Sequence, residues 1–135
     1  LLNAMTDGQA DFTLTFRRLG DAAADPAAEA GVRRLFDSKP EACDAWLPRW
    51  RERLAREPQD AASRRTAMHA VNPLYIPRNH RVELALAAAA EREDYAPFEE
   101  LLTVLAKPFE ERPGLEAYAE PAPPDQGVYR TFCGT

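Results

Sequence analysis

Apolar residues recur along this chain at helical intervals. Phe12, Phe16 and Leu19 stand four and three residues apart, which is one face of a helix running from about Leu1 to Leu19. Gly20 follows, where a helix commonly stops. The stretch "DAAADPAAEAG" at 21–31 reads as a low-complexity linker with a short helical start after Pro26. A turn or two then carries Val32, Leu35 and Phe36.

Ser38-Lys39-Pro40-Glu41 has the spacing of a capping box, in which Ser and Glu satisfy orphan N–H groups reciprocally. Pro40 falls in the first turn, where a missing N–H costs little. Cys43, Trp46, Leu47, Trp50 and Leu54 follow as a core-facing stripe with two large indoles. Pro48 lies inside that stripe and is expected to bend or interrupt it. Asp60 suits the cap of a third helix through Ala67, Met68 and Val71, which ends at Asn72-Pro73 because a residue before proline avoids helical dihedrals.

After the turn "NPLYIPRN", an alanine-rich fourth helix is expected from Pro77 to about Arg92. Asp94 then caps a fifth, with Pro97 in its first turn and Phe98, Leu101, Leu102 and Leu105 on one face. "PAPP" at 121–124 cannot be helical. Strand-like alternation is nearly absent. The expectation is an all-α fold of about five helices in an irregular domain over 1–120. An extended, proline-broken tail over 121–135 carries Cys133.

Composition adds limits. The 135 residues are 45% hydrophobic and 29% charged, the balance of a globular domain. No apolar run approaches the roughly 20 residues of a membrane span, so no membrane partner is expected. A net charge of −5 argues against nucleic acid, whose phosphates demand a Lys and Arg excess. The arginine pairs 17–18, 33–34 and 64–65 sit among acids and read as solvated helix faces. Two cysteines do not make a disulfide scaffold, and no signal peptide is legible, so a reducing cytoplasm is the expected location. The opening "LLNAM" looks like the middle of a helix, as in a fragment of something longer.

Candidate chemistry is sparse. His69 and His80 are eleven residues apart, with neither CxxC nor HExxH spacing, so no metal site is expected. No Gly-rich phosphate cradle exists. Adjacent acids such as Glu99–Glu100 read as solvated faces. Cys43 lies on the tryptophan stripe and reads as a buried structural thiol. Cys133 has no helix to bury it. Its pKa decides its reactivity, and local residues leave inert and functional roles equally open. The turn carrying Asn72, Tyr75, Arg78 and Asn79 is the most unusual stretch. Arg78 opens a helix, where positive charge opposes the dipole. A residue placed so implies a specific partner: a buried acid or carbonyl, or else a neighbouring domain or a ligand phosphate.

The stretches "DFTLTFRRL", "WLPRWRERL", "MHAVNPLYIPRN" and "LAKPFEERP", then a Cys followed by two small residues, occur in that order. In this the chain resembles the C-terminal part of the selenoprotein O (SelO, YdiU-type) family, over essentially its whole length. The resemblance implies a segment of a pseudokinase that transfers AMP from ATP to Ser, Thr or Tyr hydroxyls of proteins. ATP and Mg would bind in a kinase-like domain outside this chain, leaving this segment non-catalytic and packed against that domain. No catalytic, cofactor-binding or metal residue is therefore expected here. The partners implied are the kinase-like domain of the same protein and the protein substrates of the whole enzyme. The resemblance also implies a redox-regulatory role for Cys133, bridging to a cysteine of the kinase-like domain. Pro48 and Pro77 are departures that bear on local geometry alone. The alternative from another class is a stand-alone helical protein-interaction module without enzymatic activity. A third, a small thiol redox protein acting through Cys133, has no second thiol nearby.

Overall fold

The computed structural model describes residues 1–123 of the chain. Helices make up the fold, and no strand occurs among the described residues. The all-α expectation holds. The number of helices is larger than about five, because several are short. The chain falls into two compact units, Leu1–Pro73 and Leu74–Thr135, the latter described as far as residue 123.

The first unit contains α1 (Leu2–Gly8), α2 (Phe12–Ala24), a 3₁₀ turn (Pro26–Ala28), α3 (Glu29–Arg33), α4 (Pro40–Leu54) and α5 (Ala61–Val71). The single helix expected over Leu1–Leu19 is broken. Gln9 takes a left-handed conformation, φ 50°, and ends α1. Asp11 then caps α2, its Oδ1 accepting from the Leu14 N–H at 2.8 Å.

Gly20 does not stop a helix. It lies within α2, where α5 crosses. A Cβ on Gly20 would stand 2.5 Å from Cδ2 of His69, closer than real Cβ contacts come. Glycine lets the two backbones approach there. The stretch read as a linker is largely structure: α2 continues to Ala24, and Ala22 and Ala23 are buried.

The core of this unit comprises Met5, Leu19, Ala22, Val32, Phe36, Cys43 and Leu47. Trp46 and Trp50 stack at 5.5 Å and pack against it while half-buried. Phe36 presses on Gly8, where a Cβ would lie 2.6 Å from its ring. The capping box does not form. Lys39, not Ser38, is the N-cap of α4, with no side-chain cap bond, so the Ser–Glu frame is one residue out of step. α4 runs through Pro48 without interruption. Asp60 caps α5 as expected, accepting from the Ser63 N–H at 2.9 Å.

The second unit contains α6 (Asn79–Arg92), α7 (Ala96–Leu105) and α8 (Glu116–Ala119). α6 starts two residues later than Pro77 and ends at Arg92, with the left-handed Glu93, φ 55°, as its C-cap. Asp94 supports the start of α7 through the Ala96 N–H at 3.2 Å, and Pro97 sits in the first turn. α6 and α7 pack on each other, burying Ala85, Ala88, Leu101 and Val104. Phe98 and Leu102 remain exposed, so the face expected on α7 is only half covered.

Candidate functional site

The turn singled out in the sequence straddles the boundary between the units, so its residues belong to different sites. Asn72 follows α5 in the first unit. Its Nδ2 and its backbone N–H both donate to the Met68 carbonyl, at 2.8 and 3.0 Å. Its own carbonyl accepts from Nη1 of Arg17 at 3.4 Å, and the His69 carbonyl accepts from the same nitrogen at 3.5 Å. Arg17 is only 3% exposed, which corrects its reading as part of a solvated face. The C-terminal end of a helix carries partial negative charge and orphan carbonyls. Arg17 satisfies both.

Asp21 stands one turn further along α2. Arg65 approaches its Oδ1 at 2.9 Å, Arg18 its Oδ2 at 3.6 Å, and His69 Nε2 lies 3.3 Å from Oδ1. The imidazole is close enough for electrostatic attraction, but it is not aligned as a hydrogen bond. Burial pushes the His69 pKa down, Arg17 and Arg65 push the same way, and Asp21 pulls back. His69 is therefore neutral near pH 7, set against Gly20.

Arg64 serves two other helix ends of this unit. It donates to the Ala23 carbonyl at 3.5 Å, the Leu54 carbonyl at 3.3 Å and the Gln59 carbonyl at 2.8 Å. Cys43 is fully buried, and burial raises its thiol pKa, which favours the protonated, unreactive form.

Tyr75 belongs to the second unit and is 1% exposed. Its hydroxyl accepts from the Arg112 N–H at 3.2 Å and donates to the Arg112 carbonyl at 3.4 Å. The Arg112 guanidinium lies 5.5 Å from the Tyr75 ring centroid and donates to the carbonyls of Thr103 and Val104, at 3.3 and 2.7 Å, near the end of α7. The Leu74 and Tyr75 N–H groups converge on the Pro108 carbonyl at 2.8 and 3.1 Å. Arg78 is buried as the N-cap residue of α6, and Asn79 is exposed at its first position. Arg81 donates to the Ala117 carbonyl at 2.8 Å and covers the Tyr118 ring at 5.4 Å. His80 is buried, and desolvation followed by the charges of Arg81 and Arg78 lowers its pKa.

The turn thus contains a structural anchor, Tyr75, whose partner lies 37 residues away. Local sequence carries no signal for Arg112, Asp21 or the burial of Arg17, because each acts across two helices. Among the described residues no three His, Cys, Asp or Glu side chains gather as a metal site. No described helix is long and apolar enough to cross a membrane. Cys133 lies outside the described residues.

The family model described as "Protein adenylyltransferase SelO" matches residues 1–106. A protein nucleotidyltransferase YdiU of Bradyrhizobium diazoefficiens is 63% identical over 135 residues, covering 100% of this chain and 27% of that protein. One of Rhodopseudomonas palustris is 60% identical over 134 residues, again 27% of its length. One of Rhizobium leguminosarum is 59% identical over 135 residues and likewise 27% covered. This chain spans about a quarter of the length of these curated relatives. A family match across most of the chain, with relatives so similar from end to end, has one consequence: the chain belongs to the SelO family.

Proposed function

We propose that this chain is the helical C-terminal segment of a protein nucleotidyltransferase that transfers AMP from ATP to Ser, Thr or Tyr hydroxyls of proteins. The observation that carries this reading is whole-chain identity of 63% to a relative named a protein nucleotidyltransferase, within a family described as a protein adenylyltransferase. In this reading the segment performs no chemistry. Its arginines 17, 64, 81 and 112 are bonded to helix carbonyls, which suits a supporting role. ATP and Mg belong to the kinase-like domain outside this chain, and the protein works in the cytoplasm.

Cys133 is proposed as a redox-regulatory thiol whose partner cysteine is in that domain. Forming the bridge takes two electrons and two protons from the thiol pair, accepted by a small-molecule disulfide, and reductant reverses it.

AMP transfer by the longer protein, measured with labelled ATP with and without reductant, tests the reading. Label incorporation into protein hydroxyls by the longer protein, and none by the 135-residue chain, is expected. Transfer of phosphate in place of AMP, or micromolar ATP binding by this chain alone in calorimetry, overturns it. Cys133→Ala is expected to abolish the response to reductant; an unchanged response removes the regulatory role.

A further inference from the structure

α5 is attached to the first unit differently from its neighbours. It packs on α2, yet none of its eleven residues is fully buried, and the buried apolar cluster of the unit contains no α5 residue. Of α5, Met68 alone packs against that cluster, and it is half-buried. What holds the helix is mostly polar. The His69 and Asn72 carbonyls accept from Arg17, the Ala23 carbonyl accepts from Arg64, and Arg65 pairs with Asp21. The His69 ring completes the contact by lying in the notch at Gly20. An element held by few apolar contacts opens at lower cost than the fold as a whole.

His69 is the one histidine among these groups, and histidine is the side chain whose charge ordinarily changes between pH 5 and 8. Its surroundings oppose that change. Nε2 is buried without a hydrogen bond. From α2 the ring faces Arg17 and Asp21, and from α5 itself it faces Arg65. Asp21 is already engaged by Arg65 on one oxygen and by Arg18 on the other. A proton on the ring therefore adds a cation beside Arg17 and Arg65, in a notch that keeps it from water. Burying a charge without a hydrogen-bonded partner is costly, and moving the ring out to solvent removes that cost.

We propose that α5 is an acid-sensitive latch: protonation of His69 lifts α5 from α2 while the apolar core of the first unit stays folded. The direction follows from the lowered pKa of the buried ring. The closed form binds fewer protons than the open one, so the latch is shut above about pH 6.5 and opens as pH falls through the lowered value. The latch does not depend on AMP transfer.

Hydrogen exchange of the longer protein at about pH 7.5 and about pH 5, on either side of the histidine range, tests it after correction for the intrinsic rate at each pH. Protection in α5 is expected to fall on acidification, by at most about tenfold per pH unit, the limit that one proton sets. Protection in α4, which carries Cys43 and Leu47 of the core, is expected to hold. His69→Gln is expected to remove the acid response of α5. Unchanged protection of α5, equal losses in α4 and α5, or the same α5 response in His69→Gln overturns the proposal. A second measurement needs no variant: NMR titration of the His69 ring in the wild-type protein. A midpoint below the ordinary histidine value is expected, and one at or above it overturns the latch.

Discussion

Both units clamp helix ends with arginine, yet they fill their interiors differently. In Leu1–Pro73 the clamp formed by Arg17 and Arg64 surrounds an apolar cluster that includes Phe36, Leu47 and Val32. In the second unit the described interior is mostly alanine and aliphatic, with Tyr75 as its one fully buried aromatic. There the clamp of Arg112 also grips Tyr75 itself, through its ring and its hydroxyl. The first unit gains its order from side-chain volume, and polar bonds finish its helix ends. The second gains more of its order from one polar anchor, because alanine-lined helices bury little area per residue. Loss of volume should therefore harm the first unit most, and loss of hydrogen bonds the second.

Phe36→Ala should bring the largest effect. Phe36 is fully buried, so truncation should cost about 3–5 kcal/mol, read by chemical denaturation. A loss under 1 kcal/mol would mean that volume is not what orders the first unit. Arg112→Ala should rank next. It removes bonds to two α7 carbonyls and the cover over Tyr75, at roughly 2–3 kcal/mol. Hydrogen exchange should quicken in residues 74–112 and not in α1–α5; a uniform increase would break the contrast. Gly20→Ala drives a Cβ into His69 and should cost about 1–3 kcal/mol by overpacking. Stabilisation by this change, as ordinary helix propensity favours, would show that α5 does not press on Gly20.

The smallest effect concerns acid. His69, facing Asp21, Arg17 and Arg65, and His80, facing Arg78 and Arg81, both have pKa values below the ordinary 6.5. Their folded forms hold fewer protons than the unfolded chain, so stability is complete above about pH 6.5 and is lost as pH falls through the folded values. Tm should decline between pH 7 and 5, and the decline should flatten in a His69→Gln, His80→Gln double variant. An unaltered decline would assign the acid response to carboxylates alone.

Features set within a few residues were legible before the fold was known. Asp60 and Asp94 mark helix starts because a side-chain oxygen acts on N–H groups two or three residues away. Asn72-Pro73 marks a helix end for the same local reason. The break at Gln9 gave no warning, since left-handed termini usually advertise themselves with glycine. Gly20 carried the opposite message from its role because the residues it meets, Met68 and His69, are more than 40 residues away in sequence, and Ala22–Ala23 looked like filler because their burial depends on distant partners such as Phe36 and Leu47. The turn around Tyr75 was conspicuous, but its partner Arg112 was not. Family membership was legible from the order of several short stretches, a likeness that physical reading of any one of them does not supply.

Gly20 has a consequence for how α5 finds its place on α2. Helices that meet through similar apolar faces can slide by a turn, about 5.4 Å, with little change in buried area. On α2 the positions one turn to either side of Gly20 carry Phe16 and Arg17, or Ala23 and Ala24, each with a Cβ. A shifted α5 would set the His69 ring against one of those side chains and part it from Asp21. The single notch at Gly20 thus makes the alignment of the two helices discrete. Its contribution is the choice of one register among near-equals, which a measurement of global stability registers only faintly.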